Sequence, residues 1–284
     1  MGSPQPITAL VTAQNKLYAR TFTQLYEIGE STTLVTSLPN SALIAAVGNQ
    51  MYFPIDTNGS GGIGVYDIPS GAQRTVVSAT AFVAELLADT DHVFWVETNP
   101  TLPHESSVHA IGAAGTGEVV LGTGRGIFQD DQALYWITAA GDQIVRASKA
   151  DLSSRIFLSA GNGFGAQIAY AGNVYWSPDY GKVARLPSDG SSTTPTVVVA
   201  LPVPHQGTYV KAIRFLGGTM YVESMEPEPG DCPGTCFYTA RIVEIDTAAQ
   251  VEIARADHVQ NTPVFAEGND ALYWALAGDV YRVR

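Results

Sequence analysis

Apolar and polar residues alternate along most of the chain, in short runs separated by Gly, Asp, Ser and Pro. Period-two alternation with β-branched runs between such turns predicts strands. No amphipathic helical stretch of useful length competes. A short motif recurs: a polar residue, an aliphatic one, Tyr or Phe, then usually an aromatic. It stands at Asn15-Lys-Leu-Tyr18, Gln50-Met-Tyr-Phe53, His92-Val-Phe-Trp95, Ala133-Leu-Tyr-Trp136, Asn173-Val-Tyr-Trp176, Thr219-Met-Tyr-Val222 and Ala271-Leu-Tyr-Trp274. The anchor aromatics Tyr18, Tyr52, Phe94, Tyr135, Tyr175, Tyr221 and Tyr273 lie 34, 42, 41, 40, 46 and 52 residues apart. A period near 40 built of short strands predicts propeller blades, each a four-stranded antiparallel sheet.

Each unit reads alike. An inner strand such as Ala42–Val47 precedes the anchor strand. A third strand alternates, as in Lys182–Leu186, and runs into a turn such as Pro187–Gly190. A β-branched fourth strand follows, as in Thr196–Val199. Seven anchors predict an all-β, seven-bladed β-propeller over 1–284, as a single domain. The last unit stops at its third strand, Asp279–Arg284. Either that blade has three strands, or the N-terminal segment Ile7–Gln14 closes it. A six-bladed ring is the alternative, and it leaves most of residues 1–40 without a place.

Composition narrows the partners. Of 284 residues only 15% are charged, against about 25% in ordinary soluble domains. Hydrophobic residues make up 45%, with 28 Gly and 16 Pro. Disorder and long helical arrays do not fit these values. A formal charge of −12 supplies no field to replace phosphate counterions, so nucleic acid is not an expected partner. No run approaches the roughly 20 apolar residues of a membrane span. Cys232 and Cys236 flank a Pro-Gly turn, which suits a disulfide and an oxidising compartment. Half of a zinc site is the other reading, but no second Cys or His pair has the usual spacing. Met1-Gly-Ser-Pro reads as an engineered start, with a natural signal peptide removed. The expected location is therefore secreted or periplasmic.

Val174-Tyr-Trp-Ser177, Leu134-Tyr-Trp-Ile137, Val93-Phe-Trp-Val96 and Leu272-Tyr-Trp-Ala275 resemble secreted bacterial propellers with YWTD-like repeats. These are relatives in pattern of the propeller in the low-density-lipoprotein receptor. Val183–Gly190 fits the same style of repeat. The Asp that closes a full YWTD motif is absent from every unit. The resemblance implies a rigid ring that binds ligands on one face. It implies no particular activity, since one fold hosts many functions.

Long segments after the second strand mark a binding rim. They are Pro54–Gly62, Glu97–Ser107 and Glu223–Phe237, joined by the connection Leu201–Gly207. Drift in unconstrained loops is the competing reading. Acids Asp56, Glu97, Glu105, Glu226, Glu228 and Asp231 fall on that face, which suits a cationic or hydroxyl-rich partner. Starts of inner strands line the channel mouth, where Glu85, Arg125 and Lys211 are charged and Tyr209, Phe128 and Phe164 lie nearby. Such a mouth either holds a small polar or anionic ligand or merely solvates the entrance. Charges Glu27, Asp67, Arg146, Arg185, Glu244 and Arg282 recur on third strands and read as structural.

Asp56, Asn58 and Ser60, followed by Gly61, resemble half of a calcium loop with Asp67 at its twelfth position. A Gly-rich hairpin turn is the leading reading there. The histidines His92, His104, His109, His205 and His258 form no metal-binding pair by spacing. No catalytic residue is assigned, and the candidates are His104, His205 and Glu85. The expected function is a monomeric extracytoplasmic module without a cofactor, recognising a protein or glycan through Glu85, Arg125, Lys211, Tyr209, His205, Glu226 and Glu228. The alternative is a propeller lyase or lactonase-type enzyme. Its calcium or magnesium would sit at the channel mouth near Glu85 and Glu267. A third reading is a structural role in a larger secreted assembly.

Overall fold

The computed structural model describes residues 6–57, 60–99, 102–153, 155–159, 165–202, 208–228, 237–246, 249–259, 263–267, 271–276 and 279–283. Among them there is no helix, and so none long and apolar enough to cross a membrane. Strands follow one another as antiparallel meanders. Sheet one holds β1 (Ala9–Ala13), β2 (Lys16–Arg20), β3 (Gln24–Ile28) and β4 (Thr32–Ser37). Sheet two holds β5 (Ala45–Val47), β6 (Gln50–Thr57), β7 (Ser60–Asp67) and β8 (Gln73–Thr80). In sheet three β9 (Phe82–Ala88), β10 (His92–Asn99) and β11 (Leu102–Gly112) lead to the long β12 (Val119–Gln129). The far end of β12 opens sheet four, with β13 (Ala133–Thr138), β14 (Gln143–Ser148) and β15 (Arg155–Ser159). Sheet five is β16 (Gln167–Tyr170), β17 (Asn173–Trp176), β18 (Lys182–Pro187) and β19 (Thr196–Ala200). Sheet six is β20 (Tyr209–Leu216), β21 (Thr219–Pro227), β22 (Tyr238–Ile245) and β23 (Gln250–Val259). Sheet seven is β24 (Val264–Glu267), β25 (Leu272–Leu276) and β26 (Asp279–Arg282).

Seven successive meanders match the seven anchors, and each anchor lies in the second strand of its sheet. The last sheet has three strands among the described residues. The alternative for the N-terminus is corrected: Ala9–Ala13 pairs with Lys16–Arg20 as the first strand of sheet one. The rim segments are corrected too. Pro54–Thr57, Glu97–Asn99 and Glu223–Pro227 continue the second strands, and Ser60–Gly62 and Leu102–Ser107 continue the third. Paired backbone groups satisfy themselves across a lengthened hairpin, which an irregular loop cannot do.

The chain packs as two compact units, Met1–Ile127 with Ala277–Val280 and Phe128–Leu276 with Tyr281–Arg284. Within the first, Tyr18 and Leu25 of sheet one meet Met51, Phe53 and Tyr66 of sheet two. Tyr52 and Ile63, on the other side of sheet two, meet Val83, Leu86 and Trp95 of sheet three. Within the second unit, Tyr135 meets Trp176, Tyr175 meets Val222, and Tyr221 meets Trp274, in three successive clusters. Within each unit the rule is regular. The anchor aromatic faces the following sheet, and the residue after it faces the preceding one. Neighbouring strand residues point to opposite faces, so the Tyr-Trp pair is what a doubly covered sheet requires. Each such ring buried contributes on the order of 2 kcal/mol.

Glu27, Arg146, Arg185 and Glu244 lie directly opposite their anchors Tyr18, Tyr135, Tyr175 and Tyr221. Asp67 breaks the pattern. It sits opposite Gln50, and its carboxylate accepts from the Ser70 backbone N–H at 3.0 Å to cap its own turn.

Arg20, two residues after its anchor, has no solvent exposure. Its Nε donates to the Ser41 carbonyl at 2.9 Å, Nη1 to Leu43 at 2.8 Å and Nη2 to Pro39 at 2.8 Å. Burial brings its pKa down to about 10. One guanidinium thus holds the whole connection from sheet one to sheet two, and its planar fork suits three carbonyls as an ammonium does not. Arg20→Met is expected to lower unfolding stability by about 3 kcal/mol, from three lost charge-assisted bonds partly offset by the removed charge. Arg20→Lys should recover less than half of that loss, read from denaturant midpoints.

Candidate functional site

The residues expected at the channel mouth have separate fates. Glu85 on β9 spends both carboxylate oxygens on backbone N–H groups, those of Gly126 and Ile127, each at 2.7 Å. It staples β9 to the far end of β12, the inner strand of the next sheet. Arg125 is exposed, with no hydrogen bond or ion pair among the described residues. Tyr209 is exposed at the start of β20 and meets Tyr238 edge-on at 6.2 Å. Lys211 is the extra residue of a bulge between Val210 and Ala212, and its Nζ donates to the Pro263 carbonyl.

Behind Lys211 lies a carboxylate the sequence reading passed over. Glu223 has no exposure, and its Oε1 accepts from Trp274 Nε1 at 2.8 Å. Its Oε2 is buried without a hydrogen-bond partner among the described residues. Burial pushes the Glu223 carboxyl up and the Lys211 amine down, against their attraction for each other. Arg214, pushed down by burial, is attracted to both Glu223 and Glu267. A signal for Glu223 exists in the repeat. The position two after the anchor holds Arg20, Pro54, Val96, Ile137, Ser177, Glu223 and Ala275, and all are buried. Glu223 is the one acid in that series.

On the opposite face of the same strand, the extended hairpin of sheet six builds a groove of about 460 Å³. Glu226, Pro227, Glu228, Thr239, Arg241, Arg255, Asp257 and His258 line it. Two of the expected ligand-binding residues, Glu226 and Glu228, are thereby brought together. Register explains the charge pattern. Arg241 lies directly opposite Arg255, a repulsive pair unless acids interleave. They do: Arg241 Nη2 meets Glu226 Oε2 at 2.8 Å, and Arg255 Nε meets Asp257 Oδ1 at 2.9 Å. Thr239 Oγ1 donates to Asp257 at 3.0 Å. Glu228 Oε1 accepts from the His258 backbone N–H at 2.8 Å, and Oε2 meets His258 Nδ1 at 2.7 Å. These contacts hold the Glu228 carboxyl below its usual range, chiefly through the His258 N–H. Arg255, then Thr239, does the same for Asp257.

Other expected residues fall elsewhere. Asn58, His205, Cys232 and Cys236 lie outside the described residues. Asp56, Ser60 and His104 stand on β6, β7 and β11, and their side chains are outside the description. Among the described residues no group of three or more His, Cys, Asp and Glu gathers as a metal site. His109 stacks on Trp95 at 5.0 Å, with Nε2 at 2.8 Å from Ser107 Oγ, as part of a packed face.

No family model matches the sequence, and no curated protein matches it. Solved structures do match the fold. A chain of a nidogen/laminin complex covers 85% of this chain and 92% of its own, at 16% identity and TM-score 0.51. Hsv2 of Kluyvelomyces marxianus covers 96% and 90%, at 10% identity and TM-score 0.63. An oligogalacturonate lyase in complex with manganese covers 74% and 70%, at 9% identity and TM-score 0.56. At these identities the likeness shows the fold, which is a β-propeller, and nothing of the chemistry.

The buried Glu223 sets a pH dependence. Its folded pKa lies above the ordinary 4.5, so the folded chain holds this proton more tightly than the unfolded one. The stability it contributes is full at low pH and is lost as pH rises from 4.5 through the folded value. Glu223→Gln is expected to match the wild type near pH 4 and to gain on it as pH rises toward 8. Denaturant midpoints against pH measure this, and parallel curves would refute it.

Proposed function

We propose that the chain is an extracytoplasmic binding module whose site is the groove on sheet six, and that its ligand is a glycan. The observation that carries this is the groove's lining. Two guanidiniums, four acids counting Glu252 near Arg241, a hydroxyl and an imidazole are paired before any ligand arrives. A pre-paired, slightly acidic surface has no net positive charge to offer an anion. It has fixed donors and acceptors for neutral hydroxyls, which carboxylates and guanidiniums grip in pairs. Phe237, ring-stacked with His258 at 5.2 Å, adds an aromatic edge beside the groove.

Secretion rests on the Cys232–Cys236 spacing and on the YWTD-like repeat. Propeller neighbours include both a protein-complex component and an enzyme. The reading of Lys211 and Arg125 as a mouth for an anion has less support, because Lys211 is already engaged with Pro263.

A glycan array followed by calorimetry tests the assignment. Wild-type protein should bind hydroxyl-rich oligosaccharides. Arg255→Gln and Asp257→Asn, both on exposed side chains, should each weaken binding about 10-fold, the worth of one charge-assisted bond. An array without signal, or a glycan bound equally by both variants, would sink the groove assignment. Selective capture of a protein instead would replace the ligand class.

A further inference from the structure

Glu228 and His258 form a unit with more capacity than a binding surface needs. The carboxylate grips the histidine twice, by its backbone N–H at 2.8 Å and its Nδ1 at 2.7 Å. A carboxylate on Nδ1 keeps the ring proton there and turns the Nε2 lone pair outward. His258 has a φ of 57°, a left-handed backbone that a non-glycine residue adopts at a cost. Its side chain is 73% exposed, yet the ring is fixed by Glu228 on one side and Phe237 on the other. The other described histidines differ. His92 Nδ1 lies 3.6 Å from Asp89, and His109 is buried against Trp95.

We propose that His258 is a general base and that this groove hydrolyses esters carried on hydroxyl-rich compounds. The inference rests on the same groove as the binding assignment but adds an activity to it. A water oxygen attacks the acyl carbon while His258 Nε2 takes one of its protons. The carbonyl electron pair moves onto oxygen, beside the guanidinium of Arg255, whose Nε is tied to Asp257. The tetrahedral intermediate collapses, the bond to the alcohol oxygen breaks, and that oxygen recovers the proton from Nε2. Acid and alcohol are the products, and water is the sole co-reactant. Glu228 stays ionised throughout. It is a positioning residue that orients the ring and stabilises the imidazolium. Thr239, the groove's hydroxyl, bonds Asp257 and Glu228 and not the His258 ring, so the nucleophile that His258 serves is water.

The groups around the ring are Glu228 from the end of β21, Glu226 on β21, Arg241 on β22, and Glu252, Arg255 and Asp257 on β23.

Acetate release from glucose pentaacetate and p-nitrophenyl acetate tests the activity. Wild type should exceed an equal concentration of free imidazole by at least 100-fold, the usual worth of a positioned base. His258→Asn keeps a residue type that tolerates the left-handed backbone, and it should lose about 100-fold. Glu228→Gln should lose about 10-fold in kcat and displace the pH profile, which a purely structural role would not do. A wild-type rate equal to free imidazole, or a well-folded His258→Asn that keeps the wild-type rate, would overturn the proposal. Calorimetry on the wild-type protein separates the two assignments. A glycan bound while its acetyl ester goes unhydrolysed overturns the base and leaves the groove a binding site. Acetate released from p-nitrophenyl acetate only when His258 is present, with no glycan bound, supports the base and overturns the glycan assignment alone.

Discussion

Burial of both faces of each inner sheet is the constraint from which the rest follows. A second strand squeezed between two neighbours has no solvent side, so consecutive residues must each suit a core. Val93, Phe94, Trp95 and Val96 have no exposure at all. At five of the seven anchors an aromatic pair divides its rings between the two sides. The low charge content has the same cause, since a charge at such a position loses its hydration on either face.

Where a charge does enter this layer, it is either fully satisfied or a source of tension. Arg20 meets three carbonyls and becomes a clamp. Glu85 meets two backbone N–H groups and becomes a staple. Glu223 has one indole donor for two oxygens. Lys211 and Arg214 offset part of its cost, and burial still raises its pKa. Three charged residues that look alike in sequence therefore have three different energetic roles, set by how many partners the fold brings to each.

The polar counterpart appears where the hairpin of sheet six outruns its neighbours. Alternation continues along β21, but beyond Val222 one face turns from apolar to acidic, through Ser224, Glu226 and Glu228. The opposing strands supply Thr239, Arg241, Arg255 and Asp257. Ion pairs at exposed positions contribute little to stability, commonly below about 1 kcal/mol. Their weight here lies in fixing the geometry of the groove, above all the twofold grip of Glu228 on His258.

Strand periodicity, the number of repeats and the place of the anchors were legible in the chain, because each depends on local alternation and on burial that every repeat shares. Glu226 and Glu228 were legible as rim residues from the length of their insertion. The pairing of Glu228 with His258, 30 residues away, was not, since it depends on the register of β21 through β23 and on a left-handed backbone at one histidine. Nor was the satisfaction of Glu85 or the isolation of Glu223, for a buried carboxylate's role depends on which N–H groups from distant strands point at it. Sequence alone determined the layers and their repeat, through the alternation of apolar side chains. Tertiary structure decided which charges meet, because electrostatic partners are chosen by proximity across strands and not by order along the chain.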